Sequence, residues 1–295
     1  MLNAALIGFN ILLYTFQNLF FKMFADRYPG KSKYVSYVYC VVCGLVSGFV
    51  SLAFGGFSFD FNPLTLLFGV LNSITAPLYY LALSLASQNG PYSIVMVFNI
   101  AGGISIPVLV SAIAFGEYPS VWKLLCFLVI FVAGYFVTKR PNESAQIKNK
   151  KVFFASLVFL GVVNGCYGGL INLQRGFAGE SQNDEMLIYT FLISAVFSLI
   201  FLFFRNGKEA PRLFVQTKGS AAFMIAAAIS AAFAVNMLVI MAGFINVNLL
   251  WTFNNSGVLV VSVLASAIFF KEKMSLQNII GCVVVAAALV VVSMV

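Results

Sequence analysis

The chain has 295 residues, 61% of them hydrophobic and only 9% charged, with a formal net charge of +8. Soluble domains carry about 25% charged and about 45–50% apolar residues, so a water-soluble fold of this length cannot hide so much apolar surface. Histidine is absent, which excludes Ser-His-Asp catalysis and leaves the five cysteines without further ligands for a metal.

Lipid is the alternative solvent, and a helix crossing its core needs roughly 20 apolar residues. Ten such runs follow one another: Asn3–Phe24, Val35–Phe54, Leu64–Ala86, Tyr92–Phe115, Val121–Thr138, Phe153–Leu173, Met186–Phe204, Ser220–Phe244, Val247–Phe270 and Leu276–Met294. They are too long for barrel strands and lack apolar/polar alternation. The first run has no basic head and carries Lys22 near its far end, so it reads as a span rather than a removable leader. The longest polar stretch, Lys139–Lys151, reads as a basic linker between residues 1–138 and residues 152–295. If all ten runs cross, the breaks after the odd-numbered spans share one side. They hold every one of the 17 basic residues except Lys123 and Arg175. Basic loops stay in the cytoplasm, which predicts both chain ends outside an inner (plasma) membrane of bacterial type. The basic residues are spread over separate short loops beside lipid, so lipid and not nucleic acid is their expected partner.

Buried amides are costly in an apolar medium, roughly 2–7 kcal/mol when unpaired, and in lipid they turn to partner helices or to a wet cavity. The first span carries Tyr14, Gln17 and Asn18, and Lys22 closes it. The third carries Asn72, Tyr79 and Tyr80. The fourth carries Asn99, then Gly102 one turn later on the same face, then Pro107, which removes one backbone bond. Glu117 follows that span. The sixth carries Asn164 and Tyr167 and ends near Arg175. The eighth has Asn236. The ninth has Trp251, Asn254 and Asn255, and Glu272 follows it. Two readings stand for Asn99 and Asn254: a pair of amides bounding a cavity, or hydrogen bonds between helices. Asn255 points about 100° away from Asn254, so the two are not expected to share a task. Tyr14 and Tyr167 lie mid-span, where a phenol suits a cavity wall; Trp251 lies near a span end, where an interfacial belt is the other reading. Lys22 and Arg175 either snorkel to headgroups or attract a carboxylate at the two mouths. Glu117 and Glu272 either cap the following helices or gate. No acid falls in mid-membrane, so coupling through a central carboxylate is not expected.

One pattern occurs twice. FNIAGGISIPVLVSAIAFGEYPS, Phe98–Ser120, aligns without gaps with FNNSGVLVVSVLASAIFFKEKMS, Phe253–Ser275, pairing Asn99 with Asn254, Gly102 with Gly257 and Glu117 with Glu272. A weaker echo pairs Gly8 with Gly161, Tyr14 with Tyr167 and Lys22 with Arg175. Five spans recur as five, and an odd number per unit turns the second unit over. The expected fold is an all-α integral membrane protein of ten transmembrane helices, arranged as two inverted five-helix repeats. Inverted repeats with a site at their interface are a recurring transporter plan.

The stretches FGEYPSVWKLLCFLVIFVAGYF and FFKEKMSLQNIIGCVVVAAALVV, each with a Glu closing a fourth span and a short turn into a fifth, resemble the drug/metabolite transporter superfamily, in particular its ten-helix EamA-type members. Gly281 fits that pattern; Cys126 stands at the corresponding place in the first half and departs from it. The resemblance implies export or exchange of small metabolites, including amino acids, through a central cavity lined by spans 1, 3, 4, 6, 8 and 9. The inventory of amides, phenols and aromatics favours neutral, zwitterionic or aromatic cargo. The alternatives are a lipid-linked or other amphipathic cargo, or a non-transporting receptor or scaffold. An enzyme, a cofactor and a metal site are not expected. A small-molecule substrate and a monomer are, with a dimer the alternative.

Overall fold

The computed structural model describes residues 2–29, 32–57, 60–116, 118–138, 147–179, 182–242, 244–245, 247–271 and 276–294. These residues are overwhelmingly helical, without a strand among them. The helices are α1 (Leu2–Arg27), α2 (Ser32–Phe54), α3 (Pro63–Asn89), α4 (Tyr92–Phe115), α5 (Val121–Thr138), α6 (Lys150–Ala178), α7 (Asn183–Asn206), a short α8 (Ala210–Val215), α9 (Ala221–Ala242), α10 (Val247–Phe269) and α11 (Leu276–Met294). Among the described residues, seven helices are long and apolar enough to cross a membrane: α1, α2, α3, α4, α6, α7 and α9. The chain is thus built as a multi-pass membrane protein. α10 and α11 carry shorter uninterrupted apolar stretches, Phe253–Phe269 and Ile279–Ala288.

Local chemistry sets several helix ends. Asn62 caps α3, its side chain accepting from the N–H groups of Leu64 and Thr65, with Pro63 at the first helical position. That proline's fixed φ and missing donor suit the start of a helix. Asn149 caps α6 by accepting from Val152 N–H at 3.2 Å. The cap starts α6 at Lys150, so the last residues of the basic linker are helical; residues 139–146 lie outside the described residues. The break expected between the seventh and eighth spans holds α8, opened by a Pro near its first position. Gly116, with φ +70°, ends α4 in the left-handed region, where glycine has no Cβ to clash.

Contacts sort the helix termini onto two ends of the bundle. At one end, Tyr28 after α1 donates to the Leu213 carbonyl of α8, and Arg27 lies over Phe223 at the start of α9. There too the linker N–H of Lys148 donates to Asn89 O at the end of α3. We call this the basic end, since the described linker and loop lysines and arginines gather there. At the other, the acidic end, Asp60 before α3 meets Gln182 and Glu185 at the start of α7. Phe177 of α6 stacks there on Phe68 of α3 and lies tilted against Phe115 of α4.

The helices pair across the two halves of the chain. α3 and α4 lie on α6, while α9 and α10 lie on α1; α3 lies on α7, while α9 lies on α2. α2 pairs with α7, α5 with α11, and α4 with α10. The α4–α6 contact is the closest: a Cβ added at Gly102 would overlap the backbone of Gly161, and one at Gly165 would sit 2.6 Å from Gly102 O. Small faces of this kind let helix backbones approach in lipid.

Burial is uneven along the bundle axis. The largest fully buried side chains, among them Phe21, Phe24, Tyr39, Tyr92, Phe153 and Leu160, all lie in the basic-end halves of their helices. Phe21, Tyr39 and Tyr80 form a ring cluster with centroids 4.5–4.9 Å apart. Such pairs add roughly 0.5–1.5 kcal/mol each beyond their buried area. The basic end is a solid plug.

Candidate functional site

Above the plug the helices part around a cavity of about 190 Å³. Its floor is formed by Gln17 and Asn18 of α1, Tyr79 and Tyr80 of α3, and Asn99 of α4. Tyr14, Asn164 and Tyr167 form its waist with Asn254 and Asn255 of α10. Arg175, Asn183, Ala242 and Trp251 stand towards the acidic end. Arg175 follows Asn164 by eleven residues, about 16 Å along α6 at the helical rise of 1.5 Å per residue. The guanidinium therefore stands at the acidic end of the cavity and not at its floor.

Eleven of the thirteen residues expected to bind substrate line this one space; Asn72 and Asn236 do not. Asn72 is fully buried and only half met: its Oδ1 accepts from Thr75 Oγ1 at 2.9 Å, while its buried Nδ2 has no hydrogen-bond partner. Asn236 ties α9 to α2 by donating to Ser51 Oγ at 3.0 Å and also donates to Ala232 O. For Asn236 the cost of a buried amide is met by pairing between and within helices. Trp251, for which an interfacial belt was the other reading, lines the cavity. Asn254 and Asn255 both reach it but hold different partners. Asn254 accepts from Asn10 Nδ2 at 3.1 Å, and Asn255 donates to Trp251 O of its own helix.

The floor is one hydrogen-bonded chain. Asn99 Nδ2 donates to Tyr79 Oη at 3.1 Å, Tyr79 Oη donates to Asn18 Oδ1 at 3.2 Å, and Asn18 Nδ2 donates to Tyr14 O at 3.1 Å. Beside it Gln17 Nε2 donates to Tyr80 Oη at 2.9 Å. Asn164 Nδ2 donates to the backbone carbonyl of Asn99 at 2.8 Å, joining the two halves of the chain at this level. Asn99 and Asn254 thus do both things expected of them as alternatives: they bound the cavity and they bond between helices.

The expected gating residues divide. Arg175 lines the cavity, whereas its sequence match Lys22 is sealed in the plug. Lys22 Nζ donates to Asp26 Oδ2 at 2.7 Å and to Ser87 O at 3.2 Å, and it lies 4.5 Å from the centroid of the Phe270 ring. Phe270 meets Tyr92 edge-on at 5.4 Å, so the second half of the chain closes onto the first around this lysine. Pro107 does not line the cavity; its ring faces Gly168 of α6. Glu117 and Glu272 lie outside the described residues. Among the described residues no group of His, Cys, Asp or Glu could hold a metal, and no carboxylate lines the cavity.

Two contributions go beyond the residues expected from sequence. Asn10 is fully buried and holds Asn254; an amide in the first apolar run was visible, and the same cost argument would have picked it out. α7 supplies Asn183, Met186, Leu187 and Phe191 to the wall, although the cavity was expected between spans 1, 3, 4, 6, 8 and 9. Nothing in the apolar pattern of α7 signals this.

No protein-family model matches the chain, and no curated protein sequence does. A solved crystal structure of a protein is similar over 99% of this chain and 97% of its own, with a TM-score of 0.59 at 15% sequence identity. That likeness bears on the fold alone. It extends over the whole of both chains, so the arrangement of helices described above recurs as a unit.

Proposed function

We propose that the protein is a ten-span membrane carrier of the drug/metabolite transporter kind. It moves neutral, zwitterionic or aromatic small metabolites, with amino acids the first candidates. The observation that supports this reading is an amide- and phenol-lined cavity above the plugged basic end, lined by both halves of a chain whose sequence echoes itself. The packing supports the repeat. Exchanging the halves turns α3 and α4 on α6 into α9 and α10 on α1, and turns α3 on α7 into α9 on α2. With five spans per half the second copy is inverted. A state sealed around Lys22 then has a mirror state sealed around Arg175, and passing between them exposes the cavity to each face in turn.

With the basic loops in the cytoplasm, the described state faces outward. The wall supplies amides, phenols and one guanidinium at the mouth, which suits small molecules carrying both polar and aromatic parts and disfavours multiply charged cargo. No acid of the sequence falls in mid-membrane, so coupling through a central carboxylate is not expected, and facilitated diffusion, exchange or coupling by another group are the modes left open. The test is uptake by liposomes containing the purified protein, using a panel of labelled amino acids and other small metabolites. Asn99→Ala and Asn254→Ala are each expected to reduce uptake by about tenfold or more, since each removes a hydrogen bond at the cavity wall and leaves its partner unpaired. Unchanged uptake in both variants would remove these amides from the site.

A further inference from the structure

Among the described residues, the tyrosines lining the cavity are Tyr14, Tyr79, Tyr80 and Tyr167, and their hydroxyls differ in what they hold. Tyr79 Oη sits in the floor chain between Asn18 and Asn99, and Tyr80 Oη accepts from Gln17 Nε2. Tyr14 Oη and Tyr167 Oη hold no hydrogen bond among the described residues. Nor is either sealed. The Tyr39 hydroxyl in the plug and Asn99 Oδ1 in the floor are buried without a partner, whereas these two hydroxyls are not buried. Both therefore open into the cavity that their residues line.

The two phenols belong to different walls of the waist, Tyr14 to α1 and Tyr167 to α6. A run of hydrogen bonds ties these walls at one level. Asn18 bonds to the Tyr14 carbonyl and to Tyr79, Tyr79 to Asn99, and the Asn99 carbonyl to Asn164, one turn before Tyr167. Tyr14 and Tyr167 lie within electrostatic reach of each other. They are also matched in the sequence repeat, whereas the floor amides of α1 are not. The same offset sets Leu170 against Gln17 and Ile171 against Asn18. The waist thus keeps one open phenol from each half of the chain.

We infer that the Tyr14 and Tyr167 hydroxyls donate to a carboxylate on the transported molecule. The inference rests on the transport reading above and narrows its cargo to molecules that carry this group. A phenol without a partner has a proton to give, and an ionised carboxylate only accepts. Among the described lining residues Arg175 is the one charged side chain, so the cavity favours an anionic group over a lone ammonium. The indole N–H of Trp251, a donor only, lines the way from the waist to Arg175. Asn164 and Asn255 each give Nδ2 to a backbone carbonyl. Their Oδ1 atoms remain as acceptors and suit a donor elsewhere on the cargo.

The test uses the purified full-length protein and three probes that share a phenyl ring: 3-phenylpropanoate, its neutral counterpart 3-phenylpropanamide, and phenethylamine. Binding is read from the fluorescence of Trp251, in a Trp122→Phe background. The propanoate is expected to bind about tenfold or more tightly than the amide, the scale of one hydrogen bond to a charged group, and phenethylamine no more tightly than the amide. Tyr14→Phe and Tyr167→Phe each remove an oxygen that no described group of the protein bonds. Both variants therefore keep the fold, and thermal midpoints equal to the parent's check that. Each is expected to weaken the propanoate by about tenfold and the amide by about threefold at most. Equal weakening of propanoate and amide, the result for a phenol that only fills space, overturns the subsite. So does unchanged propanoate binding in either variant, or a parent protein that binds phenethylamine most tightly. If the parent binds none of the probes, the subsite fails together with the aromatic part of the transport reading. Liposome uptake separates the two ideas. Propanoate binding that depends on both phenols, without uptake of propanoate or of any amino acid, keeps the carboxylate site and ends the transport reading. Uptake without that dependence ends the subsite alone.

Discussion

Gly102→Ala is expected to leave little or no folded protein, while Gly8→Ala folds normally and Gly257→Ala falls between them. The substitution is the same in each case, and the sequence repeat matches Gly102 with Gly257 and Gly8 with Gly161. The surroundings differ. A methyl at Gly102 would overlap the carbonyl, Cα and oxygen of Gly161, which are all backbone. The helices can admit it only by moving apart, and that undoes the contact of α4 with α6 along its length. Overpacking against side chains costs roughly 1–3 kcal/mol, and a rigid backbone neighbour puts the cost above that range. At Gly257 the methyl meets the Ile11 side chain, which can turn to another rotamer at a cost of about 1 kcal/mol. At Gly8 no atom lies within 4 Å, so the gain in helix propensity, up to about 1 kcal/mol, goes uncontested. Thermal unfolding midpoints of the three variants in detergent would rank them. A Gly102→Ala protein as stable as Gly8→Ala would mean that α4 and α6 do not touch as described.

Lys22→Met has the largest expected effect on conformation. The ammonium is 7% exposed as part of its residue, and it bonds to Asp26 and Ser87 O while lying against Phe270. Methionine keeps the aliphatic contact with Phe270 and removes the charge. Asp26 is partly exposed and can turn to water, so the fold survives. The Ser87 carbonyl loses its charged donor only while the basic end stays closed. A hydrogen bond to a charged group contributes roughly 1.5–3 kcal/mol, and a difference of that size between two states moves their ratio by tenfold or more. Val97, 1% exposed in the plug, reports the change when replaced by cysteine in a chain lacking its native cysteines. Reaction with a membrane-impermeant thiol reagent from the basic-end side should speed up by about tenfold in the Lys22→Met background. An unchanged rate would show that the lysine does not hold the plug closed.

Helix positions and most cavity residues were legible in the sequence for one reason. In a chain with so few charges, an amide or phenol inside an apolar run is conspicuous, and lipid leaves it few places to go. The same reasoning could not say which amides find water and which find each other. Asn72 is answered on its oxygen alone, by Thr75 three residues away, Asn236 by Ser51 from a distant helix, and Asn99 by a tyrosine at the cavity wall. Partner choice depends on how helices rotate against one another, and rotation is set by packing that apolar periodicity describes poorly when a helix is apolar all round. Lys22 and Arg175 show the limit most clearly. They occupy matched places in the repeat, so no pattern distinguishes them, yet one is sealed under Phe270 and the other lines an open space. On the proposed carrier reading, that difference belongs to one of two conformational states, which a sequence shared by both does not encode.

The most direct measurement places one cysteine at Ala76, on the cavity wall, in a chain freed of its native cysteines. An impermeant thiol reagent is then applied from each side of sealed vesicles, with and without a molecule that the protein carries. Modification from the acidic-end side at rest, and from the basic-end side as well once cargo is supplied, is the result a carrier with two interchanging halves requires. A thiol that reacts from one side only, whatever is supplied, would mean that the cavity is a dead-end pocket and that nothing passes through it.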